Sequence, residues 1–468
     1  MKICITLLFA LLVSSFSFGQ NQLCGTEMPQ ETLDWLKQIQ QNPPPVKDAR
    51  SGLLYVPIKF HIIGDDTGGQ YYKKETLFAV LCELNDQFAA SNFYFYKSGN
   101  INYIKNSNYY VGIGGSIMIN TYNIEGHVNA YITGPIPGLC GYFTGGPKKG
   151  AVVLIKGCLG KGNSTFAHEL GHYFSLPHTF NGWQSNPEFV NGSNCTTAGD
   201  FFCDTPADYL DYRWSCPYTG SKTDTLGDTI KPDHTLFMSY ASDVCCTRFS
   251  GEQQTVMNIN LTTTRNYLLN FSDPAMDPMG TSNLLKPIDG LSNIPVNQII
   301  LEWDPVTGAE EYHLVVKKQP NMVIIDVVTS NTKYYTSASG LLVGYTYEWK
   351  VKPMNAGNTC EDYSPEWTFI PGFASAIDDA VEDNSLFIYP NPVSSGQDLI
   401  VLINSYDFDN DATFQLYDVN GQVVMNQQVH FNQGENNVDL PELYAGVYFV
   451  RLYTDDKTYY KRIMILND

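Results

Sequence analysis

The stretch His168-Glu169-Leu170-Gly171-His172-Tyr173-Phe174-Ser175-Leu176-Pro177-His178 packs three imidazoles and a carboxylate into eleven residues. His168 and His172 stand at i and i+4. On a helix that spacing puts both rings on one face, one turn apart, able to hold one metal ion. Glu169 falls on the adjacent face, poorly aimed as a ligand but well placed to take a proton from a metal-activated water. His178 lies past the helix end, and a sharp turn after Phe174 would bring it round as a third nitrogen ligand. Three histidines leave a fourth position open, the arrangement of a catalytic zinc site. Ser175 sits where such a turn favours glycine, because a left-handed residue costs a non-glycine roughly 1–2 kcal/mol.

These side chains need a scaffold. Leu53 to Ile63 ("LLYVPIKFHII") reads as a strand, and further strands are expected at Tyr109–Tyr122 and Ala151–Ile155. Lys74 to Ala90 has Leu77, Val80, Leu81, Leu84 and Phe88 at helical spacing. The site helix is expected from about Ser164 to Phe174, with Asn163 or Ser164 as its N-cap, and a closing helix over Gly251–Leu268. Residues 179–235 are rich in Gly, Asn, Asp and Pro and have little periodicity. A segment this irregular persists in a compact domain when it is crosslinked or metal-bound. Asp200, Asp204, Thr205 and Asp208 lie within it. Their hard oxygens suit calcium, and a solvated acidic loop is the competing reading.

The wider chain sets the compartment. It has 468 residues, is 43% hydrophobic and carries a formal net charge of −20. That balance argues against nucleic acid, which needs a basic surface, and suits a soluble exported protein. Met1-Lys2 precedes an apolar run from Ile3 to Phe18, and small residues follow at Ser17 and Gly19. This is the pattern of a signal peptide over residues 1–19. The run is short for a bilayer span, and no later segment is long and apolar enough to cross, so the mature protein is expected to have no transmembrane segment. Of 11 cysteines, Cys4 falls in the signal peptide. An even remainder in an exported chain favours disulfides.

Residues 20–50 are polar and include Asn42-Pro43-Pro44-Pro45, an exposed leader or pro-segment. After Asp277 the pattern becomes short alternating strands. Residues 285–371 include "IILEWDPV" and "YTYEWKVKP", with Tyr345, Tyr347 and Trp349 on alternate positions, and are read as a small β-sandwich. Ala376–Ser385 is an acidic linker. Residues 386–468 form a second β-sandwich, with Asn420-Gly421 as a hairpin turn.

Three resemblances add to this reading. HExxHxxxxxH, "GDFFCDTPAD" and "LFMSYASDVCCTRFSGEQ" together resemble the pappalysin-type metzincin metalloproteases, over about residues 51–272. The resemblance implies an α+β, two-lobed catalytic domain that hydrolyses peptide bonds in protein or peptide substrates. It implies catalytic zinc on His168, His172 and His178, Glu169 as general base, and structural calcium in the loop-rich lobe. It makes Met238 the floor beneath the metal and puts Tyr240 near the metal or the developing oxyanion. It makes disulfides at Cys203 and Cys245 expected, with Cys246 leaving the pairing open. Cys24 is either a latency switch, cut free near Arg50-Ser51, or a disulfide partner. Related enzymes that cleave before basic residues carry an acid just ahead of the cysteine after the methionine turn. Here Val244 holds that position, so an apolar pocket is expected unless Asp243 turns inward. Residues 285–371 resemble a fibronectin type III domain. "YPNP", "YDVNGQ", "LYAGVYFVRL" and Lys461-Arg462-Ile463 resemble the C-terminal sorting domain of type IX secretion cargo. That implies the secretion machinery as a partner and delivery across an outer membrane to the cell surface or beyond. The reading from another functional class is a retired protease serving as an extracellular binding scaffold, against which the intact Glu169 speaks.

Overall fold

The computed structural model describes residues 23–42, 52–146, 149–210, 214–296, 299–336, 340–372, 386–403, 410–419, 421–432, 434–454 and 458–466. The signal peptide, the Pro-rich end of the leader with Arg50-Ser51, the acidic linker and Asn420 lie outside them. The chain divides into two units. The first holds Met1–Gly280 with Val306–Glu311 and Pro353–Asp362, and the second holds Thr281–Pro305, Tyr312–Lys352 and Tyr363–Asp468.

In the first unit, β1 (Leu23–Cys24), α1 (Gln30–Gln41), β2 (Leu54–Gly64), α2 (Lys74–Phe88), β3 (Phe93–Lys97), β4 (Asn102–Lys105), α3 (Ser107–Tyr110), α4 (Gly115–Tyr122), β5 (Val128–Thr133), β6 (Leu139–Gly146) and β7 (Lys149–Ile155) precede the site helix α5 (Thr165–Tyr173). One seven-stranded sheet runs β1-β6-β7-β5-β2-β3, with β4 also on β2. The inner strands are parallel, and β6 runs antiparallel to β7. Parallel strands are covered on both faces, so they read as continuous apolar runs. β2 accordingly buries Val56, Ile58, Phe60 and Ile62. α2 lays Leu77, Leu81, Leu84 and Phe88 on one side of the sheet. Phe88 stacks on Phe93, and Phe174 meets Phe93 edge to face, so the end of the site helix is part of the same core.

Three expectations are corrected here. Residues 109–122 are not a strand: α3 and α4 replace it. Gly112 and Gly114 take φ of 84° and 81°, and such left-handed residues break a strand but link two short helices. The leader is not merely an exposed segment. β1 pairs with β6, and α1 buries Thr32 and Leu36. The closing helix is shorter than its periodicity suggests. α6 spans Gly251–Ile259 and loosens into a π turn over Asn260–Thr264.

Four disulfides tie the first unit: Cys82–Cys360, Cys140–Cys158, Cys195–Cys203 and Cys216–Cys245. Cys24 and Cys246 are in no disulfide among the described residues. Two of the bridges hold the irregular stretch between α5 and α6, which lacks helix or strand to hold itself. The second unit is all β. Strands 284–286, 300–303 and 333–335 form one sheet, and 291–295, 311–318, 322–329, 347–354 and 367–372 form another. Trp303 and Trp349 meet in the core, with ring centroids 6.4 Å apart. Tyr347 and Trp349 are buried as the alternation predicts, whereas Tyr345 precedes the strand and is exposed. Residues 386–466 add a three-stranded and a five-stranded sheet around Val401, Phe414, Val450 and Ile463.

Candidate metal centre

Helix α5 is held at both ends by other parts of the unit. All nine of its residues are buried. Ser164 is the N-cap, but it does not cap with its own side chain. Asp243 does so from the far loop: its Oδ1 accepts from the Ser164 amide at 3.1 Å and hydroxyl at 2.7 Å, and its Oδ2 from Asn163 Nδ2 at 3.2 Å. A carboxylate there satisfies an orphan amide and meets the positive end of the helix dipole. The helix ends in a Schellman turn, with Leu176 N–H donating to Gly171 O and Ser175 N–H to His172 O. Ser175 takes φ of 76° at the position where glycine is usual. Its Oγ accepts a hydrogen bond from Asn260 Nδ2 at 2.9 Å, both residues being fully buried.

That turn delivers the third histidine. The Nε2 atoms of His168, His172 and His178 form a triangle with sides of 3.1 to 3.2 Å. Nδ1 of His168 donates to Phe237 O at 2.6 Å, and Nδ1 of His172 to Leu176 O at 2.7 Å. A carbonyl only accepts, so in the neutral rings Nδ1 carries the hydrogen and Nε2 is a bare lone pair. Burial drives His172 and His178 well below the usual histidine range and keeps them neutral. Lone pairs crowded at one point repel unless a cation sits among them. A tetrahedral zinc with ordinary Zn–N bonds separates its nitrogens by about 3.3 Å, so the donor set fits that ion.

Glu169 is 1% exposed, and burial pushes its carboxyl up to about 8. Its Oε2 accepts from Thr26 Oγ at 3.1 Å and lies 3.5 Å from Cys24 Sγ. Oε1 has no hydrogen-bond partner among the described residues. Cys24 Sγ completes the group: its sulfur and one nitrogen from each of the three histidines lie within 4.8 Å of one another. The leader is held there as a strand. Gly25 N–H donates to Gly141 O at 2.8 Å, and Phe143 N–H donates to Thr26 Oγ at 2.7 Å. Tyr240 donates to the Cys24 carbonyl at 3.2 Å and packs on His178 with ring centroids 5.0 Å apart. Met238 is fully buried against Gly171, where a Cβ would lie 2.3 Å from its sulfur.

The acidic stretch does not assemble as the sequence suggests. Asp200 is buried and accepts from Thr205 Oγ and Phe202 N–H. Asp208 accepts from Thr179 and Ser239, linking the third-histidine loop to the methionine turn. Asp204 is drawn away, accepting from Glu252 N–H at 2.8 Å at the start of α6. Glu188, which sequence reading missed, is buried with Oε2 unpartnered among the described residues. Of the two specificity candidates, Asp243 bonds the start of α5 and Val244 stands 85% exposed. Thr26, Gly141 and Asn260 went unnoticed as well. Each acts across the fold, and among these Thr26 alone had a local signal, its place two residues after Cys24.

Comparison with known proteins agrees with this geometry. Residues 150–262 match the family described as pregnancy-associated plasma protein-A, and residues 387–466 match the secretion system C-terminal sorting domain. An extracellular metalloprotease of Verticillium alfalfae is 29% identical over 257 residues, covering 50% of this chain and 87% of that protein. One from Sordaria macrospora is 26% identical over 260 residues, covering 50% and 86%. Among solved structures, the BSP domain of a biofilm-associated protein is 17% identical at a TM-score of 0.18, covering 40% of this chain and 29% of that one. The FN1–FN3 domains of chicken CNTN1 are 12% identical at a TM-score of 0.16, covering 40% and 66%. Likenesses at those scores assign no fold. The family matches find a pappalysin-type metalloprotease domain and a type IX secretion sorting domain in the chain, and together with the extracellular relatives they support export to the cell surface or beyond.

Proposed function

We propose that this is a zinc-dependent endopeptidase with Glu169 as general base, held latent by its own leader. The observation that carries the reading is the convergence of three histidine Nε2 lone pairs, two of them fixed by Nδ1–H bonds to backbone carbonyls. Zinc held by His168, His172 and His178 would supply a Lewis acid that polarises the scissile carbonyl and acidifies water. Glu169 Oε2 takes a proton from the attacking water and hands it to the leaving amine nitrogen. Its elevated pKa suits a group that must both accept and release a proton near neutrality. The Tyr240 hydroxyl, freed from the Cys24 carbonyl, donates to the developing oxyanion. Met238 supports the helix from below by filling the space left by Gly171.

Latency follows from the leader's contacts. Cys24 sulfur takes the open fourth position and Thr26 occupies the oxygen of Glu169 that must receive the proton, so ligand site and base are blocked together. The loop-rich part reads as the lower of two lobes, in which Asp200, Thr205 and Asp208, with Glu188, would hold calcium. The unpartnered Glu188 oxygen supports this second ion. The test compares leader-free protein with its Glu169→Ala variant on a casein-type substrate, alongside metal analysis. One zinc per chain and activity confined to the parent are expected. Equal activities, or no bound zinc, would overturn the reading.

A further inference from the structure

We infer that Gly141 is a positioning residue for Glu169: the side chain it lacks is the space in which the general base rests. The inference depends on the catalytic reading above.

Gly141 lies on β6, in register with Leu154 of β7 on one side and Cys24 of β1 on the other. It is not among the glycines with positive φ, so its backbone asks for no special freedom. What it provides is room. A Cβ there would lie 3.0 Å from Glu169 Cγ, 3.0 Å from Glu169 Oε1 and 3.0 Å from Val153 O. Gly157, by contrast, would meet nothing within 4 Å. The carboxylate is therefore gripped from two sides. Its Oε2 faces the leader, and the leader leaves on activation. Its Oε1 has no hydrogen bond among the described residues and rests against the open face of Gly141 on β6. Val153 O belongs to the sheet backbone and cannot retreat. A methyl at 141 must therefore displace the Glu169 side chain.

Proton transfer is steep in distance, and a misplacement of about 1 Å can cost roughly a hundredfold in rate. The displacement here is a few tenths of an ångström, so a loss of about tenfold is expected.

The experiment uses the full chain with Cys24→Ala, so that the thiol is absent throughout. In that background Gly141→Ala should lower kcat about tenfold, with KM and zinc content unchanged. A merely structural role would instead shed zinc or raise KM. As the second arm, Glu169→Asp withdraws the carboxylate from β6, and adding Gly141→Ala should then cost less than twofold in kcat. Thermal melting gives a third arm that needs no activity. Gly141→Ala should lower Tm in the parent and lower it less when Glu169 is already alanine. Unchanged kcat in Gly141→Ala, the same fold-loss with Glu or Asp at 169, or equal Tm losses in both backgrounds would overturn the inference. Failure of the catalytic reading looks different: Glu169→Gln would stay active while positions 141 and 169 remained coupled in Tm.

Discussion

The first unit buries two sets of ionisable side chains, and they are built in opposite ways. At His168, His172 and His178 the protein has already settled the protonation state. Backbone carbonyls fix two of the rings, burial keeps the imidazoles neutral, and three lone pairs face one point. At Glu188, Asp200 and Asp208 the protein has settled less. Burial pushes Asp200 and Glu188 upward, and neighbouring carboxylates push the same way. Thr205 bonds both oxygens of Asp200, and Thr179 and Ser239 share one oxygen of Asp208. The first set is preorganised around a cation by neutral donors. The second is a cluster of like charges that a cation would relieve. Losing metal should therefore abolish chemistry at one and reduce stability at the other.

The largest break expected lies at the first set. Glu169→Ala should reduce kcat by roughly a hundredfold to ten-thousandfold with zinc retained, because the three histidines remain to hold the ion. His172→Ala should lose the zinc as well. If both variants kept their metal, the histidines would not be its ligands. Next in size is the leader. Cys24→Ala in the full chain should be active before any cleavage, and Thr26→Val should raise basal activity less. Measuring peptide hydrolysis in the uncut protein decides it, and a Cys24→Ala chain as silent as the parent would sink the latch.

At the second set the sign of the pH effect is fixed. Burial, with the charges of Asp208 and Glu252, raises Glu188 to about 8. A carboxyl raised on folding contributes stability below about 4.5, its unfolded value, and loses it as pH climbs through about 8. Melting in a calcium buffer removes that loss if calcium takes the charge. At a hundredfold excess over Kd the ion should contribute about 2.7 kcal/mol, and Glu188→Gln should remove most of the gain. Identical melting of parent and variant at pH 8, with and without calcium, would leave Glu188 outside any ion site.

Much of the first set was legible because its chemistry is local. HExxH fixes two rings and a carboxylate by helix geometry alone, and the sequence marks the helix ends to within a residue. The loops were not legible. Nothing in "ASDVCC" says that Asp243 will cap a helix that starts 79 positions earlier, and an acid near a cleft invites the wrong role. Glu188 lies in a stretch without periodicity, where disulfides rather than hydrogen-bonded ladders decide which side chains meet. The strand expected at 109–122 failed because β-branched and aromatic residues there were weighed above Gly112, Gly114 and Gly115. β6 was missed for a related reason: "LCGYFTGG" is rich in glycine, and nothing local says that Gly141 makes room for Glu169.

The smallest effect expected concerns Ser175, and it separates local cost from compensation. A serine at φ of 76° is strained by roughly 1–2 kcal/mol relative to glycine. Its hydroxyl, however, accepts from Asn260 at the first residue of the π turn, and a buried hydrogen bond contributes about 1 kcal/mol. Ser175→Gly relieves the strain but strands the Asn260 amide, so the net change in unfolding free energy should be under about 1 kcal/mol in either direction. Asn260→Ala alone leaves the strain and removes the compensation, so it should destabilise. In the Ser175→Gly background the same Asn260→Ala change should be nearly neutral, because the amide it removes has no partner left to lose. A double-mutant cycle by chemical denaturation measures the difference. Additive losses would mean that Asn260 packs rather than pairs, and that the turn presenting His178 is carried by the Schellman hydrogen bonds alone.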